Sequence, residues 1–281
     1  MKVCIVGIGL IGGSLAIDLK RRGFATSIIG VDSNIHHQNI ALHSGLVDEI
    51  EELQPAVEKS DLIILSTPVN ANREMLPNIL TWMLGTKKVV TDMGSTKAGI
   101  AAAVAGQSNR GRYVASHPMA GTEFSGPMAA IGKLFDYKHA IICDPELSDQ
   151  DALETVIAMY KILNMRLSYM KSSEHDIHVA YVSHISHITS FSLALSVLDK
   201  EKDEENILKL AGGGFDSTVR LAKSSAETWA PIFLQNSAYI IEVMDNYLEK
   251  MNLFKKYILE KNQDGLKELI NEANTIRKIL N

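Results

Sequence analysis

The chain has 281 residues, 46% hydrophobic and 22% charged, which is enough to bury two cores and too apolar for a disordered protein. A formal net charge of −5 and a pI near 6.0 offer no basic surface to nucleic acid or to an anionic membrane, so the composition points to a small-molecule partner. A strand-like run at the very start leaves no room for a signal peptide, and the most apolar stretch, 179–198, is interrupted by His184 and His187; a cytoplasmic protein with no membrane contact is expected. Cys4 and Cys143 each sit inside an apolar run and read as reduced core residues rather than a disulfide, metal ligands or nucleophiles.

In chain order, the β-branched run 3–6 reads as a strand and leads into Gly7-Ile8-Gly9-Leu10-Ile11-Gly12. Helical spacing then covers 11–22, and a second strand, 28–31, ends at Asp32. A strand, G-x-G-x-x-G opening a helix, and an acidic residue about 20 positions on is the order a dinucleotide-binding βαβ unit requires. Gly7 permits the tight turn, Gly9 lets N–H groups approach a pyrophosphate, and Gly12 lets the helix pack on the sheet with the phosphate at its N-terminus. Asp32 is placed to accept a hydrogen bond from a ribose 2′-hydroxyl. It would repel a 2′-phosphate and no arginine follows it through Asn39, so NAD is expected over NADP. Cofactor contacts are expected from Gly7, Gly9, Leu10, Ile11, Gly12 and Asp32, and from Ser66, Thr67 and Pro68 where the next apolar run ends.

Further strands are expected at 62–66, 89–91, 113–116, 140–143 and 166–170, with helices at 71–83, 96–105 and 149–164. Continuous apolar runs alternating with helices imply an α/β fold with a parallel, doubly wound sheet. After residue 170 strand-like runs disappear. The expected organisation is therefore a dinucleotide-binding Rossmann domain over 1–170 and an all-α domain over 171–281. In the second half, a helix from Ser172 or Ser173, either of which can cap it, is expected to run to about Leu198. Ile177, Ala180, His184, His187, Phe191 and Leu195 then share one face. Two histidines on an apolar stripe are either core residues or site residues. The i, i+3 spacing of His175/His178 and His184/His187 allows a metal reading, but no further ligand completes a recognisable set and no metal is expected.

Three loops carry candidate chemistry. His117 follows the strand ending at Ser116, where open α/β sheets bind their ligands, and its near-neutral pKa suits taking a proton from a hydroxyl as hydride leaves the same carbon; a histidine that caps a strand is the alternative. Ser95, after the strand 89–91, can cap the next helix or present its hydroxyl to the same cleft. Gly212-Gly213-Gly214 must end or bend a helix, and Asp216 or Ser217 can start the next, placing Arg220 in its first turns. An arginine there opposes the helix dipole, which a bound anion would rationalise, whereas a surface arginine needs no such partner.

Together, the segments 7–12, 92–97, 117–123, 183–187 and 212–222 resemble the prephenate dehydrogenases of tyrosine biosynthesis, in the family's order and over nearly the whole chain. The resemblance implies NAD-dependent oxidative decarboxylation of prephenate to 4-hydroxyphenylpyruvate. It implies catalytic roles for His117, at the ring hydroxyl, and for Ser95, which assists there. It further implies substrate binding by Arg220 at a carboxylate, by His187 in the pocket wall, and by Thr122 and Glu123 in the loop bordering substrate access. Ile185-Ser186 replaces a common Leu-Pro, and Asp216 stands where a basic residue is frequent, which leaves arogenate open as the substrate. No length remains for a fused chorismate mutase or ACT domain, so any regulation is expected at the active site.

The same architecture also suits β-hydroxyacid dehydrogenases and pyrroline-carboxylate reductases. Against the former, no lysine occurs between Lys171 and Lys200, where their catalytic lysine would stand. A nicotinamide-sensing protein without turnover is the reading from another class. The segments 207–211, 229–248 and 266–279 are richer in apolar residues than one small bundle needs, and a homodimer through these C-terminal helices is expected.

Overall fold

The computed structural model describes residues 1–203 and 207–279. Strands that are apolar along their whole length need cover on both faces. Here they form one eight-stranded sheet: β1 (Lys2–Val6), β2 (Ser27–Val31), β3 (Glu49–Ile50), β4 (Leu62–Leu65), β5 (Val89–Asp92), β6 (Tyr113–Pro118), β7 (His139–Cys143) and β8 (Arg166–Met170). The order is β3-β2-β1-β4-β5-β6-β7-β8, parallel throughout except for the antiparallel pair β6–β7, in which His117 faces Ile141. Seven strands lie where the sequence places them. The eighth, β3, is a two-residue edge too short to show a period. The antiparallel pair departs from the all-parallel expectation because the β6–β7 connection carries only a 3₁₀ turn (Pro127–Ala129), and a parallel return needs a crossover helix.

The helices are α1 (Leu10–Arg21), α2 (Ile35–His43), α3 (Leu53–Lys59), α4 (Val69–Trp82), α5 (Ala98–Ala103), α6 (Gln150–Ile162), α7 (Ser172–Val179), α8 (Ile185–Asp203), α9 (Gly213–Val219), α10 (Ala226–Gln235), α11 (Ser237–Leu259) and α12 (Gln263–Asn274). Alternate residues of each strand enter opposite cores. Val3, Ile5, Leu62 and Ile64 pack with Leu15, Leu19, Val156 and Met159, while Cys4, Val6, Ile63 and Leu65 pack with Val57, Leu76, Ile79 and Ile100. Both cysteines are free and buried, and burial pushes each thiol up to about 12, which leaves them unreactive.

Two compact units result, Met1–Asn236 and Ser237–Asn281. The first unites the sheet with α7 to α10, since α7 packs on α5 and α10 on α4; the second is the pair α11 and α12. Among the described residues no helix is long and apolar enough to cross a membrane.

Four details of the helical half differ from expectation. The helix beginning at Ser172 is interrupted by one π turn, Ala180–His184, before α8 continues it. Neither Ser172 nor Ser173 caps it: Lys171 stands at the cap, its N–H donating to Glu174 at 3.1 Å, while Ser172 is bonded to Asp144 through both its N–H and its hydroxyl. The expected stripe loses Ile177 and Leu195, which are exposed, and keeps Ala180, His184 and His187 buried. The helix expected over 229–248 breaks at Asn236, whose side chain donates to the Asp176 carbonyl at 2.8 Å and bonds His184 Nδ1 at 3.1 Å.

Candidate active site

Gly7 turns out of β1 with φ +88°, where a Cβ would sit 2.7 Å from the Thr67 methyl and 2.8 Å from the Ser66 carbonyl. At Gly12 a Cβ would collide with the Gly7 carbonyl, so α1 approaches the sheet as closely as it does only through glycine. A Cβ at Gly9 would meet nothing within 4 Å, and Gly9 caps α1 with no side-chain bond and no acidic residue in the first turn. The opening N–H groups of the helix, those of Leu10, Ile11 and Gly12, have no intrahelical acceptor and point where an anion binds. Asp32 directly follows β2, with Oδ2 accepting the Ile8 N–H and Oδ1 the Asn34 N–H, both at 2.9 Å. This arrangement fits a dinucleotide: an uncapped, glycine-opened helix terminus for the pyrophosphate and an acidic acceptor beside it for a ribose. Ser66, grouped with the cofactor residues in the sequence, spends its hydroxyl on the Val6 and Gly7 carbonyls and so holds the turn itself; Thr67 bonds Asn72, and Pro68 opens α4.

His117 lies at the carboxyl end of β6, almost wholly buried. Its Nδ1 is 2.9 Å from Nε2 of His175 on α7, and His175 Nδ1 is 2.8 Å from Asp176 Oδ1. Burial first, then the repulsion that a second proton would meet among His117, His175, Lys97 and His184, holds His117 well below its ordinary value and so neutral. Beneath it is a fully buried ion pair. Lys97 Nζ contacts Asp92 Oδ2 and the Ser116 carbonyl, and Asp92 also accepts from Tyr113 Oη at 2.6 Å and from the Gly94 N–H at 2.9 Å.

Ser95 is half-buried on the loop between β5 and α5. It does not cap α5, whose N-terminus is held from another element: Asp176 accepts the N–H groups of Lys97 and Ala98 at 2.8 and 2.9 Å. The Ser95 backbone instead faces His184 on the π turn.

The helical wall carries His184, His187, Trp229 and Arg220. Burial pushes His184 down to about 4 and, with the nearby Arg220 charge, lowers His187 despite the bond to the Ser183 carbonyl at 3.1 Å. The His187 ring stacks on Trp229 with centroids 3.4 Å apart. Arg220 is not in the first turns of a helix. Gly213 and Gly214 take helical geometry, α9 starts there, and Arg220 falls at its C-terminal end, where the dipole favours a cation. The helix dipole there calls for no bound anion. Arg220 instead pairs with Glu123 Oε2 at 3.1 Å and is half exposed, so the helix and the loop holding Thr122 and Glu123 do meet. Glu123 lines a surface hollow of about 580 Å³ with Phe124 and Met128.

His175, Asp176, Lys97, Trp229 and Asn236 escaped the sequence reading as site residues. The His-Asp dipeptide on a helix was the available signal for the first two, since an aspartate beside a histidine commonly fixes its tautomer.

A sequence model described as "Prephenate dehydrogenase, nucleotide-binding domain" matches residues 15–169, and one described as "Prephenate dehydrogenase, dimerization domain" matches 171–272. A prephenate dehydrogenase of Lactococcus lactis is 29% identical over 99% of this chain and 77% of its own length. Among solved structures, the A. aeolicus prephenate dehydrogenase in complex with hydroxyphenyl propionate and NAD⁺ superposes with a TM-score of 0.88 at 29% identity, covering 100% of this chain and 98% of its own. A Synechocystis arogenate dehydrogenase does so with a TM-score of 0.76 at 28% identity, covering 99% of each.

Proposed function

The chain belongs to the prephenate dehydrogenase family of NAD-dependent oxidoreductases, and from that premise we propose that it converts prephenate to 4-hydroxyphenylpyruvate by oxidative decarboxylation. The observation that carries this reading is a neutral, buried His117 at the strand end, faced by His175 and His184 from the helices and within the same compact unit as the glycine turn. NAD⁺, when bound, supplies the hydride acceptor. His117 takes the proton of the ring hydroxyl while the C–H bond at that carbon is oxidised. When the ring carboxylate leaves as CO₂, its C–C electron pair enters the ring, and His117 returns the proton to the phenolic oxygen, so no net proton is consumed. Ser95 supports the same hydroxyl, and Arg220 holds a substrate carboxylate in place of its Glu123 partner. His187 is kept flat against the pocket by Trp229, with Thr122 and Glu123 at the mouth.

The chain is further read as a cytoplasmic homodimer joined through the C-terminal helices, where Leu234, Ile241, Ile258 and Leu259 are all more than half exposed and where the matching family description is a dimerisation domain. The test is NADH formation at 340 nm from prephenate and NAD⁺, with NADP⁺ and arogenate run alongside. His117→Asn is expected to lower kcat by about 10²–10⁴-fold, the range for a lost general base, with NAD⁺ affinity unchanged. Absence of turnover, or an equal loss of NAD⁺ binding in the variant, would refute the assignment.

A further inference from the structure

A neutral imidazole carries one proton on one of two nitrogens, and the partner of the other nitrogen decides which. The Asp176 carboxylate is surrounded by donors: Oδ1 takes the Lys97 N–H and His175 Nδ1, both at 2.8 Å, and Oδ2 takes the Ala98 N–H at 2.9 Å. Such a carboxylate only accepts, so His175 must carry its proton on Nδ1. His175 is itself buried and held neutral, first by burial and then by Lys97, against the opposing pull of Asp176 and Asp92. Its Nε2 is therefore a bare lone pair. That lone pair faces His117 Nδ1 at 2.9 Å, edge to face with ring centroids 5.1 Å apart, and a short contact between two ring nitrogens requires one proton between them. The proton must belong to His117.

We propose that His175 and Asp176 are positioning residues that lock His117 as its Nδ1–H tautomer, leaving Nε2 unprotonated and aimed at the substrate hydroxyl. The inference rests on the reading that His117 is the base. The groups that face His117 are His175 from α7, Lys97 from the loop before α5 and His184 from the π turn; those that face His175 are Asp176, Lys97 and Asp92. The arrangement has a further consequence. Asp176 ties the base to the N-terminus of α5, so the helix that follows the Ser95 loop and the histidine at the end of β6 are set in register by one side chain.

The test begins on the unmodified protein, without substrate. With ¹⁵N-labelled histidine, and the His117 signals identified by their loss in His117→Asn, wild type at pH 7 is expected to show His117 protonated at Nδ1 and bare at Nε2. The opposite tautomer overturns the proposal whether or not any variant folds. His175→Phe keeps a ring and removes the acceptor. It is expected to let His117 shift toward the Nε2–H tautomer and to lower kcat about 10- to 100-fold, part of a general base's contribution, with KM and NAD⁺ affinity within about twofold. His175→Gln, whose amide oxygen can accept from His117 Nδ1, is expected to recover part of kcat and the wild-type tautomer. Equal impairment of the Phe and Gln variants, or a Phe variant with unchanged tautomer and kcat, overturns it. If prephenate is not turned over at all, the proposed function fails while the tautomer measurement still decides this inference.

Discussion

Lys97→Met removes the cation from an ion pair in which both side chains are wholly buried, and the cost follows from what stays behind. Asp92 keeps the Tyr113 hydroxyl at 2.6 Å and the Gly94 N–H at 2.9 Å, but no counter-charge of its own, and breaking such a pair from one side costs about 3–5 kcal/mol. A stranded carboxylate has one escape, which is to bind a proton. Neutralising a carboxyl group of ordinary acidity costs about 1.4 kcal/mol for each pH unit above roughly 3.9, hence about 4 kcal/mol at pH 7 and about 1.5 kcal/mol at pH 5. The destabilisation should therefore shrink by about 2–3 kcal/mol on acidification, leaving the lost bond to the Ser116 carbonyl as the part that pH does not touch. Urea unfolding of wild type and variant at both pH values measures this difference. The double variant Lys97→Met/Asp92→Asn should be less destabilised at pH 7 than Lys97→Met alone, because no charge remains to be stranded. Lys97 also opposes protonation of His117 and His175, so its loss should move the acid limb of kcat/KM upward in pH. A single variant that costs under about 1 kcal/mol at pH 7, or the same at pH 5 and pH 7, would refute the reasoning.

Arg220→Ala should raise KM for prephenate about 10- to 100-fold, as for one or two lost charge-assisted hydrogen bonds, with the unfolding midpoint unmoved because its pair with Glu123 is half exposed. Arg220→Lys should recover only part, and a KM within twofold of wild type in the alanine variant would remove Arg220 from the site. The four buried histidines His117, His175, His184 and His187 all have lowered values, so the unfolded chain binds more protons and stability should fall as pH drops below about 6.5. Each histidine still neutral in the fold adds about 1.4 kcal/mol per pH unit to that slope, down to the folded value, about 4 for His184; flat urea midpoints between pH 7 and pH 5 would contradict it.

The sheet was legible because its strands are continuous apolar runs, and the cofactor turn because three glycines and Asp32 recur at spacings that only one local geometry uses. His117 stood out as a candidate base because a histidine at a strand end has few structural uses. What packs against His117 was hidden by distance along the chain. Asp176 meets the Lys97 N–H across 79 positions and His175 meets His117 across 58, and no local pattern marks such pairs. Arg220 departs from its expected place for a different reason. Two consecutive glycines argue against helix on propensity, yet Gly213 and Gly214 open α9, so the helix starts earlier than Asp216 or Ser217 and ends just before Arg220.

The π turn explains the remaining error, and it can be tested. On α7 the inward residues are Ser172, His175, Asp176 and Val179; an uninterrupted helix repeats that face at 183 and 186–187, whereas the structure buries His184 in place of Ser183, one residue late. Counting back seven from His184 at α spacing reaches Ile177, which is exposed. Allowing for the extra residue reaches Asp176, the residue the sequence reading missed. The π turn thus places Asp176, His184 and His187 on one buried face, with exposed Val182 inside the widened turn. Deleting Val182 should restore regular α-helix while leaving the phase of everything after it unchanged, so kcat should fall by less than about tenfold, or 1.4 kcal/mol. Inserting one alanine after Ile185 should instead rotate His187 by about 100° away from Trp229 and abolish substrate binding. If the deletion is as damaging as the insertion, the extra residue does more than set phase, and the register argument is wrong.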